Sequence, residues 1–271
     1  FLATQGDNLI VGRLLGARAL GIYGRAYQFM VMPASLFGNA LHKALFPAMS
    51  KVQHDQSRVA RAYLTGVSII ALLAVPLSFL TFFLAPEIVR IMLGPDWLEV
   101  IPPFQILACS LLFRMGYKMS DSLARATGAV YRRAWRQIIY AVMVIAGTYV
   151  GQFWGLSGVA FGVAIALIVN FLLMAHLSMQ LTNISAAEIV KAHKPGLFFA
   201  LITAFASPLL VTLCRTSGLP DLMTVLITGS GVGIALLLAL VCFPGLISLQ
   251  LKELYEKLMT GRFKSLFPKN A

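Results

Sequence analysis

The sequence predicts an all-α membrane protein, a helical bundle that crosses the bilayer many times. Three observations predict it. The 271 residues are 59% hydrophobic and 12% charged, with a mean hydropathy of +0.82, whereas soluble domains are about 45–50% apolar and about 25% charged. Apolar runs recur at close to the roughly 20 residues that a spanning helix needs. Basic residues collect in every second connection between those runs. A soluble core of this size does not absorb so much apolar sequence, because small domains keep much of their surface in water. A bilayer does, and there each run must be helical, since hydrocarbon offers nothing else to satisfy the backbone.

Taken in order, Phe1–Leu15 reads as the end of a helix carrying Asp7, Asn8 and Arg13. The chain opens without an initiator Met inside an apolar segment, so a preceding portion is expected. Gly16–Gly21 reads as a turn and Ile22–Met49 as a long helix with Arg25, Gln28, Ser35, Asn39, His42 and Lys43 on one side. That side is expected to meet protein or an aqueous cavity. Ala62–Leu84 is the next run, with a kink at Pro76. Pro102–Met119 follows, its two prolines suited to a first helical turn. Gln137–Trp154, Gly158–Gln180, Pro195–Cys214 and Leu222–Phe243 complete eight expected crossings, the first incomplete. The pairs Gly12/Gly16, Gly151/Gly155, Gly158/Gly162 and Gly229/Gly233 have the spacing of close helix packing.

The connections set orientation. Lys51, Arg58 and Arg61 lie in one basic connection, Arg125, Arg132, Arg133 and Arg136 in the next, then Lys191 and Lys194. The tail carries Lys252, Lys257, Arg262, Lys264 and Lys269. The intervening connections hold only Arg18, Arg90 and Arg215 beside the acidic Glu87, Asp96, Glu99 and Asp221. The positive-inside rule puts the basic connections and the C-terminus in the cytoplasm. Leu251, Leu254 and Leu258 stand at helical spacing among the tail lysines. The tail therefore reads either as an amphipathic helix in the headgroup region or as a solvated end.

Several function classes drop out. The net charge of +12 is explained by orientation rather than by nucleic acid, because the cations sit between apolar runs. There is no GxxxxGK[ST], HExxH or GxSxG sequence, and no cysteine pair with zinc spacing. Cys109, Cys214 and Cys242 read as small buried hydrophobes. The four histidines are scattered and suggest no metal site. Asn183-Ile184-Ser185 is formally a sequon, but on the expected cytoplasmic side. No catalytic residue is assigned and no enzyme is expected.

The informative residues are charges within the crossings. Arg114, Lys118 and Asp121 fall at i, i+4 and i+7, on one helical face. Arg25 and Lys43 lie on the polar side of the second helix, and Asp7 and Arg13 in the first. A charge at mid-membrane is costly and normally faces a bundle interior or a water-filled cavity. One reading is a cationic cavity for an anionic substrate such as a diphosphate, since guanidinium forks match phosphate oxygens. The bets for substrate contact are Arg114 first, then Arg25, Lys118 and Lys43, with Tyr27 and Gln28 adding sugar or headgroup contacts. The competing reading has Lys118, Asp121 and Lys43 snorkelling to the interface and Arg114 pairing structurally. Asp7 is read either as a proton or cation site or as the partner of Arg25, with Asp121 a further coupling or ion-pair candidate.

The run from Asp7 to Gly16 (DNLIVGRLLG) continues into Ala19-Leu20-Gly21-Ile22-Tyr23 and Arg25-Ala26-Tyr27. Leu45-Phe46-Pro47-Ala48-Met49-Ser50, Ala85-Pro86-Glu87-Ile88-Val89-Arg90, Leu93-Gly94-Pro95-Asp96-Trp97, Ile101-Pro102 and Gln105-Ile106-Leu107-Ala108 follow. Together these resemble the polysaccharide-exporter branch of the multidrug/oligosaccharidyl-lipid/polysaccharide exporter superfamily, which includes the Wzx-type flippases of O-antigen, capsule and exopolysaccharide synthesis. The likeness is densest from Asp7 to about Ala126, thins to pattern and hydropathy through Gln180, and is little more than helix placement beyond.

The resemblance implies two six-helix lobes around a central cavity. Residues 1–180 would be the second lobe, 181–243 two additional helices and 244–271 a basic cytoplasmic tail. It implies movement of an undecaprenyl-diphosphate-linked oligosaccharide across the bacterial inner membrane by alternating access. A proton or sodium gradient would drive it and no bound cofactor would be needed. The implied partners are the bilayer, the lipid-linked substrate, the preceding lobe and a polysaccharide polymerase complex. Three alternatives are a drug or metabolite antiporter of the same superfamily, a membrane polymerase or ligase, and a purely structural membrane subunit, against which the intramembrane charges argue. An antiporter for organic cations favours acidic cavity residues, whereas here basic residues outnumber acidic ones inside the crossings. A polymerase or ligase usually presents a large periplasmic loop with catalytic Arg or His. The longest such connection here, about 85–101, is short and has no His.

Overall fold

The computed structural model describes residues 2–242, with the side chains of 2–4, 37, 39–45 and 48 outside that description. The basic tail expected over 244–271 lies outside the described residues. Helix α1 (Leu2–Leu14) turns back into α2 (Gly16–Lys51), followed by α3 (Gln56–Phe83) and a short α4 (Ala85–Leu93). A 3-10 turn (Pro95–Val100) leads to α5 (Ile101–Cys109) and α6 (Leu111–Ala126). Then come α7 (Val130–Gly151), a 3-10 turn (Gln152–Trp154), α8 (Gly155–Thr182), α9 (Ala186–Thr216) and α10 (Asp221–Cys242). The described chain is thus the all-α helical membrane bundle that the sequence predicts.

The outward faces show why a bilayer must surround it. On α9, Leu197, Leu201, Phe205, Leu209 and Leu213 recur every fourth residue and are all more than half exposed. On α7 and the 3-10 turn that follows it, Tyr131 and Trp135 at one end and Tyr149, Phe153 and Trp154 at the other flank exposed Ile138 and Val142. Trp135 and Phe153 are roughly 27 Å apart along the helix, close to the hydrocarbon thickness of about 30 Å. Aromatic rings at both interfaces with aliphatic residues between them are what a lipid-facing helix presents.

By length and apolarity, α3, α9, α10 and the stretch Val130–Thr182 are long enough to span, and the α5–α6 pair joins them if it is one bent crossing. Val130–Thr182 is 53 residues, about 80 Å if straight, so it cannot be one crossing. Gly155, at φ +68°, reverses the chain and makes α7 and α8 an antiparallel hairpin. Helix α1, at 13 residues, is too short, and α2 falls short in apolarity, since it carries Arg18, Arg25, Lys43 and Lys51.

Several expectations need correction. The expected turn at Gly16–Gly21 is helical. Gly16, at φ +88°, makes the reversal by itself, and α2 begins there. Gly12 then packs on the Leu20 side chain of the returning helix, where an added Cβ would stand 3.0 Å from Leu20 Cδ2. The single helix expected over Pro102–Met119 is broken at Ser110, with a bend of 47°. The Ser110 hydroxyl donates to the Leu107 carbonyl at 2.6 Å, drawing the backbone into a tight turn there. The helix expected to start at Pro195 starts at Ala186. Ser185 and Glu188 form a reciprocal capping box that satisfies the first amide groups, and Pro195 is absorbed inside. At α3, the Asp55 carboxylate accepts from the amides of Ser57 and Arg58, each at 3.1 Å. Those hydrogen bonds, the Ser57 hydroxyl's first among them, hold Asp55 below the usual carboxylate range.

The glycine pairs also rearrange. Gly151 faces Gly158 and Gly147 faces Gly162, so the seam runs across the α7–α8 hairpin. A Cβ on Gly147 would stand 2.8 Å from the Gly162 carbonyl oxygen. Gly155 and Gly16 serve as turns, while Gly229 and Gly233 have nothing within 4 Å of an added Cβ. They line an open apolar groove between α10 and Leu73, Pro76 and Leu80 of α3 and pack closely on no described residue.

Candidate functional site

Two buried cores meet at α6. One joins Val11, Tyr23, Phe104, Tyr117, Tyr140 and Leu167, and the other Tyr63, Val67, Leu111, Met115 and Leu123. Arg114 lies between them, 6% exposed, in the first turns after the Ser110 break. Its Nη1 donates to the Tyr27 hydroxyl at 3.0 Å, and its guanidinium lies 4.9 Å from the centroid of the Tyr27 ring. Its Nε has no hydrogen-bond partner, and no carboxylate lies within ion-pair distance of it among the described residues. A guanidinium over an aromatic face gains from the ring quadrupole, but it has no carboxylate in direct contact.

Asp7 lies in the same region, 2% exposed. The Tyr23 hydroxyl donates to its Oδ2 at 2.9 Å, and the Asn8 amide donates to Oδ1 at 2.9 Å. Its partner is thus Tyr23, one helical turn before Tyr27, rather than Arg25. The Tyr23 and Tyr27 rings are 6.1 Å apart, and Tyr117 and Tyr140 form a second pair at 6.0 Å. A buried carboxylate and a buried guanidinium are therefore held by two tyrosines on one face of α2. The cluster thus sets an ionisable carboxyl and a permanent cation side by side in the bundle interior.

The other site residues separate from this cluster. Arg25 and Gln28 are on the exposed face of α2, with Arg25 Nη1 donating to Gln28 Oε1 at 3.0 Å. Lys118 is half-buried, its stem near Gly38 of α2. The Lys43 side chain lies outside the described ones. Asp121 pairs with Arg133 and, at 2.9 Å, with Arg125, at the basic end of the bundle. Sequence reasoning passed over Tyr23, Tyr117 and Tyr140. The i, i+4 spacing of Tyr23 and Tyr27 was the available signal.

A second charged cluster was also missed. Glu87, 1% exposed, accepts from Arg215 Nε at 2.8 Å and Nη2 at 3.0 Å, and from Arg90 at 3.3 Å. Arg90 also forks onto Asp221 at 2.7 and 2.8 Å. This network fastens α9 and α10 to α4. Glu87→Gln should destabilise the protein by about 1–3 kcal/mol, below the cost of breaking a fully buried pair because the arginines reach solvent. Thermal unfolding of the full-length protein in detergent checks it.

The comparisons converge on one functional class. The profile of the family described as "Polysaccharide biosynthesis protein" matches residues 1–102, which contain α1, α2 and the Asp7–Tyr23–Tyr27 side of the cluster. The chain is similar to polysaccharide biosynthesis and transport proteins. It is 27% identical over 176 residues to the teichuronic acid biosynthesis protein TuaB of Bacillus subtilis, covering 64% of this chain and 36% of that one. It is 29% identical over 147 residues to the amylovoran biosynthesis protein AmsL of Erwinia amylovora, covering 53% and 37%. The succinoglycan biosynthesis transport protein ExoT of Rhizobium meliloti is 26% identical over 110 residues, covering 41% and 22%. The matched region spans about a third of the length of the first of these relatives. No solved structure gives a significant match.

Proposed function

We propose that this chain is the second lobe, with two further helices, of a flippase for undecaprenyl-diphosphate-linked oligosaccharide. Residues 1–180 form that lobe, with α1 and α2 crossing the membrane despite their polar side, and 181–243 add two crossings. The basic connections and C-terminus face the cytoplasm, and the membrane is the bacterial inner membrane. The observation that carries the reading is Arg114, a buried cation with no carboxylate in direct contact and a free Nε, in a relative of polysaccharide biosynthesis and transport proteins. Keeping such a charge in a membrane bundle is costly and marks a substrate or ion pathway. Arg25 and Gln28 are exposed in the same bundle and suit a face turned to the preceding lobe and the cavity between the lobes. In alternating access, substrate diphosphate passes from Arg25 to Arg114 as the lobes rock, and Asp7 couples the motion to a proton or sodium ion. The chain performs no bond-making chemistry in this scheme.

Reconstitution tests it. Full-length protein in liposomes should move a fluorescent lipid-diphosphate oligosaccharide between leaflets faster than empty liposomes do, and an imposed ion gradient should accelerate it. Movement of an organic cation in place of the lipid would favour the antiporter instead.

A further inference from the structure

The basic end of the α6–α7–α8 unit has a feature that orientation alone does not require. Four arginines, Arg125, Arg132, Arg133 and Arg136, gather there around one carboxylate, Asp121. Arg125 and Arg133 take that carboxylate. The other two have no acidic partner among the described residues. Arg132 Nη2 donates to Gln180 Oε1 at 2.7 Å. Arg136 donates only to carbonyls, through Nε to Leu173 at 3.1 Å and Nη1 to Arg132 at 2.7 Å. These bonds fix both guanidiniums against α8 without neutralising either.

Trp135 lies between them in sequence and is 64% exposed, and Tyr131 is 92% exposed. Trp135 marks one end of the aromatic-bounded, lipid-facing stripe of α7, so Arg132 and Arg136 stand at headgroup depth. Two fixed cations beside an exposed indole at that depth match a lipid with an anionic headgroup, the phosphate meeting the guanidiniums and the chains running along Ile138 and Val142. The other described basic connections differ: Arg58 pairs with Asp55, and Lys191 and Lys194 have no such aromatic beside them in sequence.

We propose that the Arg132–Arg136 face beside Trp135 binds the headgroup phosphate of an anionic bilayer lipid. This requires the membrane placement of α7 but not the flippase reading.

The test is native mass spectrometry of the full-length protein in detergent, titrated with phosphatidylglycerol, phosphatidylcholine or inorganic phosphate. Phosphatidylglycerol should bind in preference to phosphatidylcholine, and inorganic phosphate at equal concentration should not displace it. Each basic side chain near a membrane surface is worth about fivefold, so Arg132→Gln with Arg136→Gln should weaken phosphatidylglycerol roughly 25-fold. Replacing both arginines by Lys should recover most of that. If the double variant fails to fold, Arg132→Gln and Trp135→Ala, both on exposed side chains, carry the test, each with weaker phosphatidylglycerol binding expected. Unchanged affinity in those variants, equal binding of phosphatidylcholine, or displacement by inorganic phosphate would overturn the proposal.

Discussion

Arg114→Ala is expected to cut polysaccharide export by about tenfold or more while leaving the protein inserted in the membrane. The guanidinium is a buried cation without a carboxylate in direct contact among the described residues, and a hydrogen bond from a charged group is worth about 1.5–3 kcal/mol, or roughly 10–150-fold in rate if it is made to the moving substrate. Arg114→Lys should recover little. A lysine ammonium is a compact, strongly hydrated charge with no plane to lay over the Tyr27 ring and no fork for two phosphate oxygens. Tyr27→Phe keeps the ring and removes the hydroxyl that Arg114 donates to, so it should cost less than Arg114→Ala. Surface polysaccharide, normalised to membrane protein level, reads all three. Equal export by Arg114→Ala and wild type would remove Arg114 from the site and leave its burial a matter of packing.

The second large effect is on stability. Gly162→Ala should destabilise the α7–α8 hairpin by about 2–3 kcal/mol, toward the upper end of overpacking costs. The added methyl would be driven into the Gly147 backbone, and no rotamer relieves a clash with a carbonyl. Gly229→Ala is the internal comparison, because nothing lies within 4 Å of its added Cβ and alanine favours helix. It should be neutral or slightly stabilising. Thermal unfolding of the two full-length variants side by side separates a packing seam from a general intolerance of change at glycine.

The apolar runs made the spanning helices legible, since a run of that length in so uncharged a chain has few other fates. The helix count through α3, α7, α8, α9 and α10 follows from them. The break at Ser110 was not legible, because Ile106–Phe113 contains neither Gly nor Pro and one hydroxyl side chain in an apolar run is no signal by itself. Ser185 and Glu188 did spell a capping box three residues apart, but Pro195 offered a competing start. Arg114, Tyr27 and Asp7 stood out as polar residues in crossings, and the fold brings them to one place. Arg25 shares α2 with Tyr27 but projects from its exposed side, which spacing alone left open. Tyr117 and Tyr140 look like apolar filler until tertiary packing sets their rings together. The Glu87–Arg215 and Arg90–Asp221 pairs join residues more than a hundred positions apart, and no local pattern announces them.

The most direct test of the central claim is the leaflet distribution of lipid-linked oligosaccharide in cells depleted of the full-length protein and lacking a redundant exporter. Complementation with wild type or Arg114→Ala completes the comparison. The account predicts accumulation on the cytoplasmic face that wild type relieves and Arg114→Ala does not. Depletion without any accumulation would contradict the claim that this chain belongs to a flippase for that lipid.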